Sequence, residues 1–110
     1  MTEDQAAEAF AGLANRTRLR LFRLLVRAGE PGLNVGEIQR LLDVPASTLA
    51  HHLAALATAG LVVQERHGRE VISRADFDGV RRMVGYLTDE CCKGVDLRRP
   101  DAAACRKPSD

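Results

Sequence analysis

Asp43-Val44-Pro45-Ala46-Ser47-Thr48-Leu49-Ala50-His51-His52-Leu53-Ala54-Ala55-Leu56-Ala57-Thr58-Ala59-Gly60 is the stretch that decides the fold of this 110-residue chain. Leu49, Leu53 and Leu56 stand at i, i+4 and i+7, the spacing of one buried helical stripe. Taking about 100° per residue, Ser47, His51, Ala55 and Thr58 lie on the opposite face, flanked by Thr48 and His52. That outward face is short, polar and uncharged. Asp43-Val44-Pro45 is a tight connection into the helix, with Pro45 suited to its first turn. Ala59-Gly60 ends it, so the pattern predicts a helix over about 45–59.

Toward the N-terminus, residues 3–13 read as an Ala-rich helix with Phe10 and Leu13 on its apolar side. Asn15 and Thr17 are both candidate caps for a second helix, whose stripe includes Leu21, Phe22, Leu25 and Val26. Ala28-Gly29-Glu30-Pro31-Gly32 stops that helix. Asn34 then caps a short helix with Ile38, Leu41 and Leu42 apolar. Toward the C-terminus, 61–65 and 70–74 are β-rich, and Arg66-His67-Gly68-Arg69 between them reads as a tight hairpin with Gly68 at positive φ. Asp76 caps a last helix over about 77–92. These elements define one domain over 1–93 and a flexible tail over 94–110 that carries Cys105.

Helix, helix, tight turn, helix and β-hairpin in that order describe a winged helix-turn-helix, a mainly α fold with a β-hairpin wing (α+β). In such folds the second helix of the pair enters the major groove of double-stranded DNA. Ser47, Thr48, His51 and His52 are therefore the candidate base and phosphate contacts, and Arg66 and Arg69 would reach neighbouring phosphates or the minor groove. His51-His52 is a poor metal pair, because the two side chains project about 100° apart on a helix. Net charge is only +1. Its distribution is more informative: Arg16, Arg18, Arg20, Arg23 and Arg27 fall between Ala9 and Gly29 with no acidic residue. They suit a phosphate backbone, and a solvated helix face accounts for them equally well.

Composition agrees with this class. The chain is 45% hydrophobic with no Trp and one Tyr, so aliphatic side chains fill its core. The nearly apolar run 53–63 is about half a membrane span, and Met1-Thr2-Glu3-Asp4 lacks a signal-peptide layout. A cytoplasmic protein with reduced thiols and no membrane partner is expected.

Three cysteines remain: Cys91, Cys92 and Cys105. Adjacent ligands are awkward for structural zinc, which spaces them more widely, and an odd count speaks against a disulfide framework. A soft ion that wants thiolate sulfur suits them better.

The resemblance to a known family is specific at this point. Leu13-Ala14-Asn15-Arg16-Thr17-Arg18-Leu19-Arg20-Leu21-Phe22 looks like the opening signature of the ArsR/SmtB metalloregulatory repressors. The stretch from Val44 to Leu56 is similar to their recognition helix, and Ala59-Gly60-Leu61-Val62 and the Arg66-His67-Gly68-Arg69 wing follow in the family's order. The resemblance implies a homodimeric winged-helix repressor that leaves its operator when an inducer binds. The operator is expected to be palindromic, and pairing through the first and last helices is expected from the seam of the last helix. One arsenic-type site of the family places Cys-x-Cys near the recognition helix, but residues 41–53 contain no Cys. A zinc-type site uses His on the last helix, but no His follows His67. What remains, Cys91, Cys92 and Cys105, resembles members that hold trivalent arsenic at the C-terminal end of the chain.

The last helix carries a seam at Phe77, Val80, Val84, Leu87 and Cys91, a heptad-like spacing that suits packing against a second protomer. Cys91 is expected on that seam and Cys92 beside it. Arsenite or antimonite is the expected inducer, held as a trigonal three-sulfur site, with no organic cofactor. Cys105 reaches back easily, since twelve intervening residues span about 3.3 Å each. The alternative is a repressor that senses oxidants or reactive sulfur through the same cysteines. Enzyme activity is not expected: the chain has no Cys-x-x-Cys and no phosphate-type loop around a cysteine.

Overall fold

The computed structural model describes residues 1–97, so the remainder of the tail and Cys105 lie outside the described residues. Within them the order is α1 (Glu3–Leu13), α2 (Arg16–Ala28), β1 (Leu33–Asn34), α3 (Val35–Leu42), α4 (Ala46–Thr58), β2 (Val62–His67), β3 (Glu70–Ala75) and α5 (Phe77–Thr88). This is the winged helix-turn-helix that the sequence predicts.

Caps set most of the helix starts. Thr2 closes a capping box with Gln5 on α1, and Asn34 closes one with Glu37 on α3. Asn15, not Thr17, caps α2, accepting from the Arg18 backbone N–H at 3.1 Å. Asp76 accepts from the Gly79 N–H at 3.0 Å and starts α5. Helix α4 is the exception: Pro45 precedes it rather than lying in its first turn, and no side chain caps it.

The core gathers Leu21 and Leu25 of α2, Ile38 of α3, and Leu49, Leu53 and Leu56 of α4, all fully buried. Val26 and Leu41 depart from the expected stripes, being 41% and 61% exposed. Each sits about one residue round the helix from the side chains that meet the core, and falls outside the face its helix buries.

The sheet has three antiparallel strands in the order β1-β3-β2, rather than two. Strand β1 is two residues long, too short to leave an alternating pattern, and is recognisable only by its pairing, Leu33 with Ser73 and Asn34 with Ile72. Strand β2 runs to His67, which faces Glu70 across a two-residue loop of Gly68 and Arg69.

Helix α4 ends in a Schellman turn: the Gly60 N–H bonds the Ala57 carbonyl and the Leu61 N–H bonds the Leu56 carbonyl, both at 3.0 Å. Gly60 takes φ +78°, where a side chain would be strained. The Asp76 N–H then bonds the Leu61 carbonyl at 2.8 Å, which ties the start of α5 to the end of α4. Gly79 sits against this joint so closely that a Cβ on it would lie 2.2 Å from the Gly60 carbonyl oxygen.

Helix α5 stops at Thr88, four residues earlier than the sequence pattern suggests. Its last turn has no basic residue, and Asp89 and Glu90 would add negative charge to the negative end of the helix. Glu90 and Cys92 take positive φ, 62° and 64°, in the turn that follows. Cys91 is therefore beyond the helical seam, not on it. Of the other seam residues, Phe77 and Val80 pack against the core, while Val84 and Leu87 are 50% and 64% exposed.

Gly79→Ala is expected to lower stability by about 1–3 kcal/mol, since backbone must move to admit the methyl group. Chemical denaturation checks this; a midpoint equal to or above the parent's would show that the joint is slack.

Candidate nucleic-acid interface and thiol site

Helix α4 presents Ser47, Thr48 and His51 to solvent near its N-terminal half, with Thr58 exposed further along the same side. Because Pro45 supplies no side-chain cap, the first-turn amides of α4 are not consumed by one. Unpaired N–H groups at a helix start favour anionic oxygens.

On the wing, Arg66 and Arg69 are exposed. The nearby carboxylates are already engaged: Glu65 accepts from Arg74 and contacts His67 Nε2 at 3.2 Å, and Glu70 accepts from Asn34. The hydrogen bond from Arg74, and then that from His67, holds the Glu65 carboxyl below its ordinary range. Among the described residues, neither Arg66 nor Arg69 has an ion-pair partner, so both cations remain available to a polyanion.

His52 does not join this surface. It is only 8% exposed, and its Nδ1 accepts from Arg18 Nε on α2 at 3.1 Å. Its position was legible in the helical period, since it follows Leu49 by three residues and precedes Leu56 by four, at the edge of the buried stripe. Burial foremost, then the Arg18 charge and then His51, lowers its pKa. The imidazole is thus neutral, and it accepts at Nδ1 as the Arg18 bond requires.

Sequence patterning does not single out Arg18. A groove of about 380 Å³ is lined by Glu8, Gly12, Arg18, His51, Ala55 and Thr58, which sets Arg18 beside the outward residues of α4. Only the pairing with a distant histidine singles it out among the five arginines of α2, and no local pattern encodes that.

Cys91 and Cys92 lie in the turn after α5 with their Sγ atoms 3.2 Å apart. Cys91 is free and exposed, whereas Cys92 is disulfide-bonded. Two sulfurs this close can bind one soft ion once Cys92 is reduced. Among the described residues no group of three or more His, Cys, Asp or Glu side chains is arranged to hold a metal ion, and Cys105 falls outside them. No helix among the described residues is long and apolar enough to cross a membrane.

A family model for a helix-turn-helix domain matches residues 13–65. A putative arsenical resistance operon repressor from Halobacterium salinarum is 44% identical over 59 residues, covering 54% of this chain and 45% of that protein. Among solved structures, a homodimeric winged helix-turn-helix DNA-binding domain from Mycobacterium bovis, a possible ArsR-family transcriptional regulator, aligns with TM-score 0.64 and 31% identity. That alignment covers 80% of this chain and 82% of the other. The AntR antimony-specific transcriptional repressor aligns with TM-score 0.59 and 30% identity, over 78% of this chain and 79% of its own.

His52 gives a pH prediction. Its folded pKa lies below the ordinary value of 6.5, so on acidification the unfolded chain takes up a proton before the folded chain does. Stability then falls as pH drops below that value and levels off below the folded pKa. His52→Gln is expected to flatten the fall of stability that the parent shows as pH drops through the ordinary histidine value; identical slopes in urea titrations would contradict it.

Proposed function

The chain belongs to the ArsR family of winged helix-turn-helix transcriptional regulators, and from that premise we propose that it is a homodimeric repressor released from DNA by trivalent arsenic. The inducer, arsenite or antimonite, binds Cys91, Cys92 and Cys105. The observation that carries this reading is the 3.2 Å approach of the Cys91 and Cys92 sulfurs, beside an exposed thiol at the end of α5. Arsenous acid condenses with neutral thiols and releases water, so the acidic Asp89-Glu90 neighbours are no bar to it. Cys105 supplies the third sulfur. The relatives that repress arsenical resistance or respond to antimony support the inducer class.

Exposed Val84 and Leu87 on α5 support pairing through the last helix, together with α1. A two-fold dimer calls for a palindromic operator, read by Ser47, Thr48 and His51, with Arg66 and Arg69 on the flanking phosphates. The protein acts in the cytoplasm, on its DNA.

Coupling follows the backbone. Metalloid binding pulls on the turn after Thr88, at the C-terminal end of α5. The N-terminal end of the same helix is tied to α4 through Asp76, Gly79, Gly60 and Leu61. A small shift of α5 therefore changes how α4 is presented. A hundredfold loss of operator affinity needs only about 2.7 kcal/mol of such coupling.

One observation favours a second reading, in which the same cysteines sense oxidants or reactive sulfur: Cys92 is disulfide-bonded. Arsenic binding requires the reduced form, so the two inducers separate by conditions.

In operator titrations under reducing conditions, arsenite is expected to weaken binding at least tenfold, equivalent to about 1.4 kcal/mol. Affinity that is unchanged by saturating arsenite but lost on peroxide treatment would select the redox reading. Cys92→Ser is expected to abolish the arsenite response with operator affinity retained; loss of DNA binding in that variant would mean that the pair is structural. Cys105→Ser is expected to weaken the response, and an undiminished response would exclude the three-sulfur site.

A further inference from the structure

Arg18 differs from the other arginines of α2. Among the described residues it alone of that set is bonded to α4, through Nε to His52 Nδ1 at 3.1 Å. A guanidinium has five N–H donors in a rigid fork. With Nε committed to the imidazole, the four on its two amino groups have no hydrogen-bond partner among the described residues. Glu8 lines the same groove, but no ion pair with Arg18 forms.

The location adds a direction. Arg18 shares its groove with His51 and Thr58, which stand on the outward side of α4. A half-buried stem and a bond to a buried ring restrict how far the guanidinium can move. A cation held in this way, with two free amino groups, matches a phosphate oxygen pair in geometry as well as charge.

We infer that Arg18 is a phosphate-contacting residue of the DNA surface and that buried His52 is its positioning residue. The inference rests on the repressor reading and deepens it. His52 thereby acts on DNA binding without touching DNA, and its neutral form is the one that accepts from Arg18.

The test is the salt dependence of binding to a mixed-sequence duplex, where phosphate contacts dominate affinity. Each lost contact lowers the slope of log affinity against log salt by about 0.9, or about 1.8 for a dimer that uses the contact twice. Arg18→Gln is expected to reduce the slope by that amount and to weaken binding roughly tenfold per contact. Arg18→Met keeps the aliphatic stem packed and serves if the glutamine variant unfolds. His52→Leu, which cannot accept from Nε, is expected to lower affinity, and His52→Gln to restore most of it. A folded Arg18 variant with the parental slope overturns the contact, because a purely structural arginine changes affinity without changing the count of neutralised phosphates. His52→Leu at parental affinity overturns the positioning role. A parent that binds no duplex overturns the repressor reading and this inference together, whereas a binding parent with an unchanged variant slope overturns this inference alone.

Discussion

Two close backbone contacts join the end of α4 to the start of α5. The Leu61 carbonyl accepts from Asp76 N–H, and Gly79 lies against the Gly60 carbonyl with no room for a methyl group. Packing this close transmits displacement, because at these two contacts no flexible side chain intervenes to absorb it. The helix that exposes Ser47, Thr48 and His51 and the helix that leads to the thiol turn therefore meet at a stiff joint.

Around the joint, two kinds of cation serve different ends. Arg74 is committed to Glu65 and stabilises the base of the wing. Arg66 and Arg69, near its tip, have no carboxylate partner among the described residues, where Glu65 and Glu70 are bonded elsewhere. Arg18 stands between these cases, tied by a neutral imidazole that takes one donor and removes no charge. A net charge of +1 hides this arrangement. Local pairing, not overall charge, decides which cations can meet a phosphate.

Much of the architecture was legible. The Leu49-Leu53-Leu56 stripe, the Asn15, Asn34 and Asp76 caps, and the Gly60 stop all mark local events, each settled within about two helical turns. Strand β1 was not, since two residues carry no period and Leu33 and Asn34 become a strand only by pairing with Ser73 and Ile72. The end of α5 was misread because the apolar spacing from Phe77 continues formally to Cys91. The carboxylates of Asp89 and Glu90 oppose the helix at that end, and the chain turns instead.

Sequence alone determined the helix order, the helix after the tight turn and the wing, because periodicity and caps are short-range physics; the family resemblance came from matching motifs instead. Tertiary structure decided which side chains of those elements are available. It buried His52 on the inner side of α4 and gave it to Arg18, left Val26 and Leu41 exposed, and moved Cys91 from a helical seam into a turn beside Cys92. Each of these outcomes depends on contacts between residues distant in sequence or on where a helix ends. A wheel drawn from residues 43–60 gives the angle of His52 but not the neighbour that covers it.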